Sequence, residues 1–187
     1  RQLDRIELEA ERLDTLIGQM LQLSQLRAAE PAHLREEVEL TTLLTEVVED
    51  ARLEANAQNK QVEWAPNASV VVEGDQRLLR SAIENVLRNA VRFTASGTAV
   101  RAQLQHEGSR ARLLIEDEGP GVPAPELDRI FEPFYRVAES RDRDSGGTGL
   151  GLAITARIVA LHGGKVIARN GSAGGLRVEI ALPARAA

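Results

Sequence analysis

The segment Ser145-Gly146-Gly147-Thr148-Gly149-Leu150-Gly151-Leu152-Ala153-Ile154 contains three Gly-x units and leads into an apolar stretch that predicts a helix. Glycine has no Cβ, so successive backbone N–H groups in such a run can approach a ligand closely. Unpaired N–H groups and the positive end of the helix dipole favour an anion at a helix start. The segment therefore predicts a phosphate-binding turn, with a plain glycine-rich turn as the alternative.

The spacing of these glycines differs from that of the common phosphate loops. Gly163-Gly164-Lys165 is followed by Val166 and so lacks the Ser or Thr of a P-loop. A dinucleotide fingerprint needs G-x-G-x-x-G after a hydrophobic strand, whereas residues 140–145 are polar and the spacing here is Gly-x-Gly-x-Gly. The ligand must therefore be inferred from other segments.

Length and composition exclude several classes of protein. The 187 residues suit one domain with an additional element, which is long enough to bury a core. A net charge of −5 without a Lys/Arg-rich run argues against nucleic acid as a partner. No apolar run is long enough for a membrane span and no signal peptide is visible, so we expect a soluble segment. The lack of cysteine fits a reducing compartment.

Residues 1–30 predict a long amphipathic helix. Apolar residues recur at alternating steps of three and four, at Leu3, Ile6, Ala10, Leu13, Ile17 and Met20. One helix cannot bury such a seam by itself, so we expect a partner helix, from an upstream segment or from a second copy of the chain. Packing of the helix on its own domain is the alternative. Pro31 ends the helix, and residues 31–37 are predicted to link it to a domain at 38–187.

The domain at 38–187 alternates between strand and helix patterns. Strands are predicted at 38–40, 62–65, 70–72, 98–106, 110–117, 165–169 and 176–182, and helices at 41–59, 76–93, 126–131 and 149–161. Asp75 is expected to cap the second of these helices, and a Pro66-Asn67 turn separates the second and third strands. The pattern predicts an α/β (α+β) two-layer sandwich, with helices on one face of a mixed, mostly antiparallel sheet.

Asn85 and Asn89 are one helical turn apart in the helix predicted over 76–93, so their amides share a face. Asparagine is a poor helix former, so the presence of two on one face is not explained by helix propensity. An amide oxygen is a neutral hard ligand that suits Mg²⁺ bound together with phosphate oxygens. Polar groups that bridge the helix to a neighbour explain this pair equally well.

Asp117-Glu118-Gly119-Pro120-Gly121 ends a predicted strand and enters a turn. A carboxylate here could accept from an exocyclic amine, and the glycines would let a flat ring lie against the backbone. An Asp-Gly turn without a ligand is the simpler interpretation of this segment alone.

Three of the four Phe and Tyr residues lie within Phe131-Glu132-Pro133-Phe134-Tyr135-Arg136, just before a polar loop that extends to Ser145. An aromatic anchor followed by a polar loop predicts a mobile lid, which a phosphoryl-transfer site uses to exclude water. Arg136, Arg141 and Arg143 are candidate partners for phosphate charge. A solvated loop with paired charges is the alternative.

Taken together, these segments resemble a known family. The order Asn85-x-x-x-Asn89, Asp117-x-Gly119-x-Gly121, Phe131-x-x-Phe134 and Gly147-x-Gly149-x-Gly151-Leu152 is similar to the N, G1, F and G2 boxes of sensor histidine kinases. Those boxes belong to the catalytic, ATP-binding domain of the Bergerat type, which Hsp90, the gyrase B subunit and the MutL proteins share. The resemblance covers about residues 37–183, and Phe134-Tyr135-Arg136 together with the glycine run is most similar to Cpx-type envelope-stress sensor kinases.

The resemblance implies ATP and Mg²⁺ as cofactors and a role for each matching residue. Asn89 would ligate Mg²⁺, Asp117 would accept from the adenine amine, and Asn85 and Arg136 would be the catalytic residues, with Arg136 or a lid arginine at the γ-phosphate. The nucleotide-binding residues that it implies are Asn85, Asn89, Arg92, Phe93, Asp117, Gly119, Gly121, Gly147, Thr148, Gly149, Leu150, Gly151 and Leu152.

Two departures from related patterns refine the expected reaction. In the ATPases of this superfamily a glutamate activates water where Asn85 stands here, so the resemblance implies that ATP is held for transfer and not for hydrolysis. The family's phosphoacceptor is a histidine in a His-Glu-x-x-x-Pro setting. None of His33, His106 and His162 has that setting, so we expect the acceptor upstream of Arg1.

The first segment is similar to the second helix of the dimerisation and phosphotransfer hairpin of these kinases. It implies a homodimer formed through residues 1–30, a response regulator receiver domain as partner, and the cytoplasmic part of a bacterial inner-membrane sensor. Two rival functions remain open. One is a non-catalytic dimerisation module with a degenerate nucleotide pocket, and the other is an ATPase or serine kinase of the same superfamily.

Overall fold

The computed structural model describes residues 2–29, 36–66, 69–137, 147–172 and 174–185. The helices are α1 (Gln2–Ala28), α2 (Leu40–Asn56), α3 (Gln76–Phe93) and α4 (Gly151–Leu161). The strands are β1 (Glu36–Glu39), β2 (Gln61–Glu63), β3 (Val71–Gly74), β4 (Ala99–Glu107), β5 (Arg110–Glu116), β6 (Lys165–Asn170) and β7 (Leu176–Pro183). The helix predicted at 126–131 is replaced by two short 3₁₀ turns, Ala124–Glu126 and Arg129–Phe131.

The main sheet has five strands in the order β2-β4-β5-β7-β6, in which only the β2–β4 pair is parallel. β1 and β3 form a separate antiparallel pair. Helices α2, α3 and α4 pack against the main sheet, which confirms the predicted two-layer architecture with a mixed, mostly antiparallel sheet.

The two strands on either side of Pro66-Asn67 do not pair with each other. β2 joins β4, while β3 joins β1. The start of α2 holds the chain just before β3, because Leu40 N donates to Val70 O at 2.8 Å and Val70 N donates to the Glu39 carboxylate at 3.1 Å. Those two hydrogen bonds place β3 beside β1 and away from β2.

Alternation along β5 directs one set of side chains into the core. Ala111, Leu113 and Ile115 are buried beneath the helices. Asp117 follows in the same alternation just beyond the strand, and its side chain is only 3% exposed. The strand pattern thus carries a carboxylate to the end of the buried face, where a charged group requires hydrogen-bonding partners.

The caps explain where the helices begin. Asp75 caps α3 as predicted, since its Oδ1 accepts from Arg77 N at 2.8 Å and from Leu78 N at 3.0 Å. Glu39 caps α2, so this helix begins at Leu40. α4 begins at Gly151, two residues later than predicted, because Gly149 has a positive φ of 73° that a helix does not allow.

α1 has two different apolar faces. Leu23 and Leu26 are buried against Ile154 and Ile158 of α4, so this end packs on its own domain. The other face carries the predicted seam and is open to solvent: Ile6, Leu13, Ile17 and Met20 are 66%, 60%, 54% and 47% exposed. None of the described helices is long and apolar enough to cross a bilayer. Most of the linker predicted at 31–37 and of the lid predicted up to Ser145 lies outside the described residues.

Candidate functional site

A cleft of about 550 Å³ opens between α3, α4 and the loop that follows β5, with one side closed by α1. Asp117 and the turn from Gly147 to Gly151 both line this cleft, and different neighbours hold them in place. We refer to these two parts of the lining as the Asp117 end and the glycine-rich end. The lining residues are Thr15, Gln19, Asn85, Arg88, Asn89, Arg92, Phe93, Asp117, Pro120, Gly121, Val122, Ile130, Tyr135, Arg136, Val137, Gly147, Thr148, Gly149, Gly151, Leu152 and Leu176.

Two backbone groups fix the orientation of the Asp117 carboxylate. Its Oδ1 accepts from Gly119 N at 2.8 Å and from Leu176 N at 3.1 Å. Burial raises the pKa of Asp117, although these two hydrogen bonds work to lower it. Among the described residues no donor contacts Oδ2, so this carboxylate oxygen is available to an N–H group of a ligand.

Close backbone approaches around Asp117 explain the glycines here. A Cβ on Gly119 would lie 2.5 Å from Phe93 O at the end of α3. A Cβ on Gly175, in the β6–β7 turn, would overlap Asp117 O, and Gly175 also has a positive φ of 77°. Both positions therefore require glycine. Gly175 therefore helps to position Asp117, although the sequence shows it only as a residue between two predicted strands.

Asn170 holds the loop that follows β5 from the far side. Its Oδ1 accepts from Val122 N at 2.9 Å, and its Nδ2 donates to Val122 O at 2.7 Å. Val122 lines the cleft, so Asn170 acts on the site through this loop. Sequence reasoning missed Asn170, since nothing local marks a contact that spans 48 residues.

The opposite end of the cleft is rich in amides and guanidinium groups. Asn85 and Asn89 line it from α3, and Asn85 Oδ1 is 3.3 Å from the position that a Cβ on Gly151 would take. The Arg92 guanidinium lies against the Gly147 backbone. Partial burial lowers the pKa of Arg92, and the nearby Arg136 lowers it further. Two guanidinium groups that face the same space favour an anion between them.

The donor set at this end does not resemble a metal site formed by protein ligands alone. The described residues contain no group of three or more His, Cys, Asp or Glu that could hold a metal ion. Asp117 is the only carboxylate among the described lining residues, and it lies at the far end. The neutral amide oxygens of Asn85 and Asn89 fit Mg²⁺ only if a phosphate ligand supplies the remaining oxygens.

The aromatic segment and the glycine turn are joined by their backbones. Phe134 N donates to Gly149 O at 2.9 Å, and a Cβ on Gly149 would lie 2.9 Å from the Phe134 carbonyl carbon. The Tyr135 hydroxyl donates to the Glu126 carboxylate, and Arg129 stacks 4.2 Å from the Tyr135 ring centroid. Backbone contacts thus join the start of the predicted lid to the glycine-rich end of the cleft.

Most of the predicted nucleotide-binding residues line this cleft, and Gly119 and Leu150 do not. The lid candidates Arg141 and Arg143 lie outside the described residues. Gly119 contributes through its backbone bond to Asp117. The Leu150 side chain is fully buried between α1 and α4, and only its N–H faces the turn, 3.3 Å from Thr148 Oγ1. Arg88 shares the α3 face with Asn85 and Asn89, so its helical spacing could have indicated it. Thr15 and Gln19 carry no such signal.

Known proteins with similar sequences were found for most of the chain. Residues 74–186 match the family described as histidine kinase-, DNA gyrase B-, and HSP90-like ATPase. Sensor histidine kinase CpxA of Escherichia coli strain K12 is 38% identical over 184 residues, which are 98% of this chain and 40% of that protein. The chain therefore spans about two fifths of the length of that relative.

Solved structures agree with the fold. The mycobacterial sensor histidine kinase MprB superposes with a TM-score of 0.70 at 32% identity, covering 82% of this chain and 99% of that one. Full-length ShkA, solved in complex with AMPPNP, gives a TM-score of 0.80 at 29% identity and covers 100% of this chain and 39% of that one. The similarity to ShkA thus includes α1 as well as the sheet and its helices.

Proposed function

Since the chain belongs to the family of histidine kinase-, DNA gyrase B- and HSP90-like ATPases and carries an ATP-binding domain of the histidine kinase type, we propose that it binds Mg²⁺-ATP and transfers the γ-phosphoryl group to a histidine. The observation that carries this proposal is the polarity of the cleft. A buried carboxylate lies at one end, and amides, arginines and a glycine turn lie at the other.

Adenine would bind at the Asp117 end. Its exocyclic amine donates to Asp117 Oδ2, while Oδ1 stays with Gly119 N and Leu176 N. Phe93, Val122 and Ile130 line the same cleft and offer apolar surface to the flat ring. Full-length ShkA, with AMPPNP bound, supports a nucleotide in a domain of this fold.

The triphosphate would lie against the turn from Gly147 to Gly151. Arg92 and Arg136 supply positive charge, and the start of α4 adds unpaired N–H groups. Mg²⁺, when bound, would neutralise phosphate charge, with the amide oxygen of Asn89 as its protein donor and Asn85 beside it. Catalysis is then positioning together with charge stabilisation: an imidazole nitrogen attacks the γ-phosphorus, the bond to the bridging oxygen breaks, and ADP leaves.

Transfer of the phosphoryl group is favoured over hydrolysis of ATP, because the described residues at the glycine-rich end include no base that could activate water. Asn85 cannot accept a proton, and no described carboxylate lines the phosphate end of the cleft. The neighbouring Glu84 carboxylate pairs with Arg80, 3.3 Å away.

The acceptor histidine would come from outside this chain segment. His162 is buried, with its Nε2 accepting from Asp75 N at 3.0 Å and its Nδ1 2.7 Å from Ile158 O. His106 is on β4, and neither of these two histidines lines the cleft. His33 lies outside the described residues and lacks the His-Glu-x-x-x-Pro setting. We further propose a homodimer formed through α1, a response regulator receiver domain as the next phosphoryl acceptor, and a cytoplasmic location for this part of a membrane sensor.

The first arm of the test measures ATP binding by titration calorimetry of Asp117→Asn. An Asn Oδ1 can keep both backbone hydrogen bonds, but its Nδ2 presents donors to the adenine amine. We expect ATP affinity to fall at least about 30-fold, because a buried donor is left unpaired. Glu116→Gln removes the same charge one residue away, where Glu116 pairs with Arg177 at 2.7 Å, and should bind ATP as the wild type does. Equal affinity of the wild type and Asp117→Asn contradicts the adenine role.

The second arm supplies a separate helical hairpin that contains a His-Glu-x-x-x-Pro acceptor, together with γ-labelled ATP. We expect the label on the hairpin and none on residues 1–187. Labelling of the chain itself would contradict the proposal that the acceptor lies outside residues 1–187. ATP binding without transfer to any hairpin would favour a nucleotide-binding module without kinase activity.

A further inference from the structure

α1 forms one wall of the cleft at its glycine-rich end. Thr15 and Gln19 both line the cleft, although they are far in sequence from the other lining residues. The helix is held there by the buried Leu23 and Leu26 and by Arg157, whose Nε donates to Leu26 O at 2.9 Å. The position of Gln19 is therefore determined by packing and hydrogen bonds outside the cleft.

The hydrogen bonds of Thr148 determine which way the Gln19 amide points. Thr148 Oγ1 accepts from Leu150 N at 3.3 Å, and it donates its single proton to Gln19 Oε1 at 2.5 Å. The Gln19 carbonyl oxygen is thus occupied at the glycine turn. Its Nε2, which carries two protons, has no acceptor among the described residues.

We propose that Gln19 is a nucleotide-contacting residue that donates from Nε2 to phosphate oxygens of the bound nucleotide. This inference rests on the proposed function, because it concerns the phosphate end of the same site. It makes the helix before the catalytic domain a component of the binding site, and it couples the packing of α1 to the presence of a triphosphate. Binding of the nucleotide and docking of α1 then strengthen each other by the same factor.

Gln19→Glu separates this role from a purely structural one. The glutamate keeps an oxygen that accepts from Thr148 Oγ1, loses both N–H donors, and places a negative charge beside the phosphates. Gln22→Glu is the matched control on the same helix. Gln22 Nε2 donates to Ser81 Oγ at 3.0 Å, and Gln22 does not line the cleft.

The experiment titrates adenosine, ADP and ATP at fixed ionic strength into the wild type, Gln19→Glu, Gln19→Ala and Gln22→Glu. We expect Gln19→Glu to weaken ATP binding about tenfold and ADP binding less, since charge repulsion adds to a lost charge-assisted bond. Adenosine binding should not change. Gln19→Ala should weaken ATP binding by a few fold, and Gln22→Glu should match the wild type.

Unchanged ATP affinity in Gln19→Glu overturns the proposal, as does an equal loss for adenosine and ATP, which would mean that Gln19 acts only through the placement of α1. If Gln19→Glu does not fold, Gln19→Ala decides by the same comparison of ligands. A wild-type chain that binds none of the three ligands contradicts the proposed function itself, which is a different outcome.

Discussion

Asn170 illustrates how single residues outside the cleft can determine its shape. The side-chain amide satisfies both backbone groups of Val122, at 2.9 and 2.7 Å, and so holds the loop that carries Gly121. Position 121 requires glycine for two reasons: its φ is 73°, and a Cβ there would lie 2.8 Å from Asn170 Oδ1. The conformation of this loop and the two hydrogen bonds of Asn170 therefore depend on each other.

We predict that Asn170→Ala weakens adenosine and ATP binding by the same factor, about three- to tenfold, because two modest hydrogen bonds that order the loop are lost. Lys165→Ala, on the same strand but away from Val122, is the control and should have no effect. Calorimetry with both ligands makes the measurement. A loss confined to ATP would show that Asn170 does not act at the adenine end.

Individual site residues differ in how well the sequence could predict them. Asn85, Asn89 and Asp117 follow from helix spacing and from the order of motifs, and the structure brings them to one cleft. Asn170 and Lys60 lie outside the cleft and have no local pattern that marks them. Lys60 Nζ donates to Val91 O at 2.8 Å and to Arg92 O at 3.2 Å, and so caps the end of α3 from 31 residues away. Contacts of this kind depend on the finished fold.

Among the secondary-structure elements, α2 has an unusual start. Glu39 is not among the common N-cap residue types, yet its carboxylate accepts from Thr41 N, Thr42 N and Val70 N, at 3.2, 2.6 and 3.1 Å. Partial burial works to raise the pKa of Glu39, but the hydrogen bonds from Thr42, Thr41 and Val70 outweigh it and lower the pKa to about 2.

This cap predicts a pH-dependent contribution to folding. The pKa of Glu39 is lowered on folding, so its contribution is complete above the ordinary value of 4.5 and is lost as pH falls toward about 2. Glu39→Gln should cost about 1 kcal/mol of unfolding free energy at pH 7, and this cost should shrink over that window. Urea unfolding at several pH values measures it, with the exposed Glu36→Gln as control. A cost that is the same at every pH would contradict the assignment.

The elements were predictable where periodicity is strong and less so where ends and pairings matter. α3 has the predicted bounds because Asp75 is a standard cap and the apolar face is continuous. α2 begins one residue before its predicted start, because Glu39 caps it. α4 begins two residues after its predicted start, because Gly149 has a positive φ. The pairing of β2 with β4 could not be predicted, because it depends on which strand edges are free to accept a neighbour, and an isolated segment does not contain that information.

At the scale of the whole molecule, α1 has two faces with different surroundings. Leu23 and Leu26 bind it to α4, and Gln19 reaches the cleft. The seam of Ile6, Leu13, Ile17 and Met20 faces solvent instead, with about half or more of each side chain exposed. A repeat of alternating threes and fours is typical of a helix that packs against another helix. The same helix can therefore serve the cleft of its own chain and still contact a second copy.

We predict that the chain forms a dimer through this seam and that Ile17→Glu abolishes it. Burial of each large apolar side chain of the seam contributes about 1.5–3 kcal/mol, and a charge at its centre reverses one such contribution in both copies. Gln25→Glu, which adds the same charge at an exposed position off the seam, should stay dimeric. Sedimentation equilibrium over a range of concentrations measures the mass, and ATP affinity should be unchanged in Ile17→Glu because Ile17 does not line the cleft. If both variants keep the mass of the wild type, the dimer does not use this face. If the wild type is monomeric, the seam requires a helix that residues 1–187 do not supply.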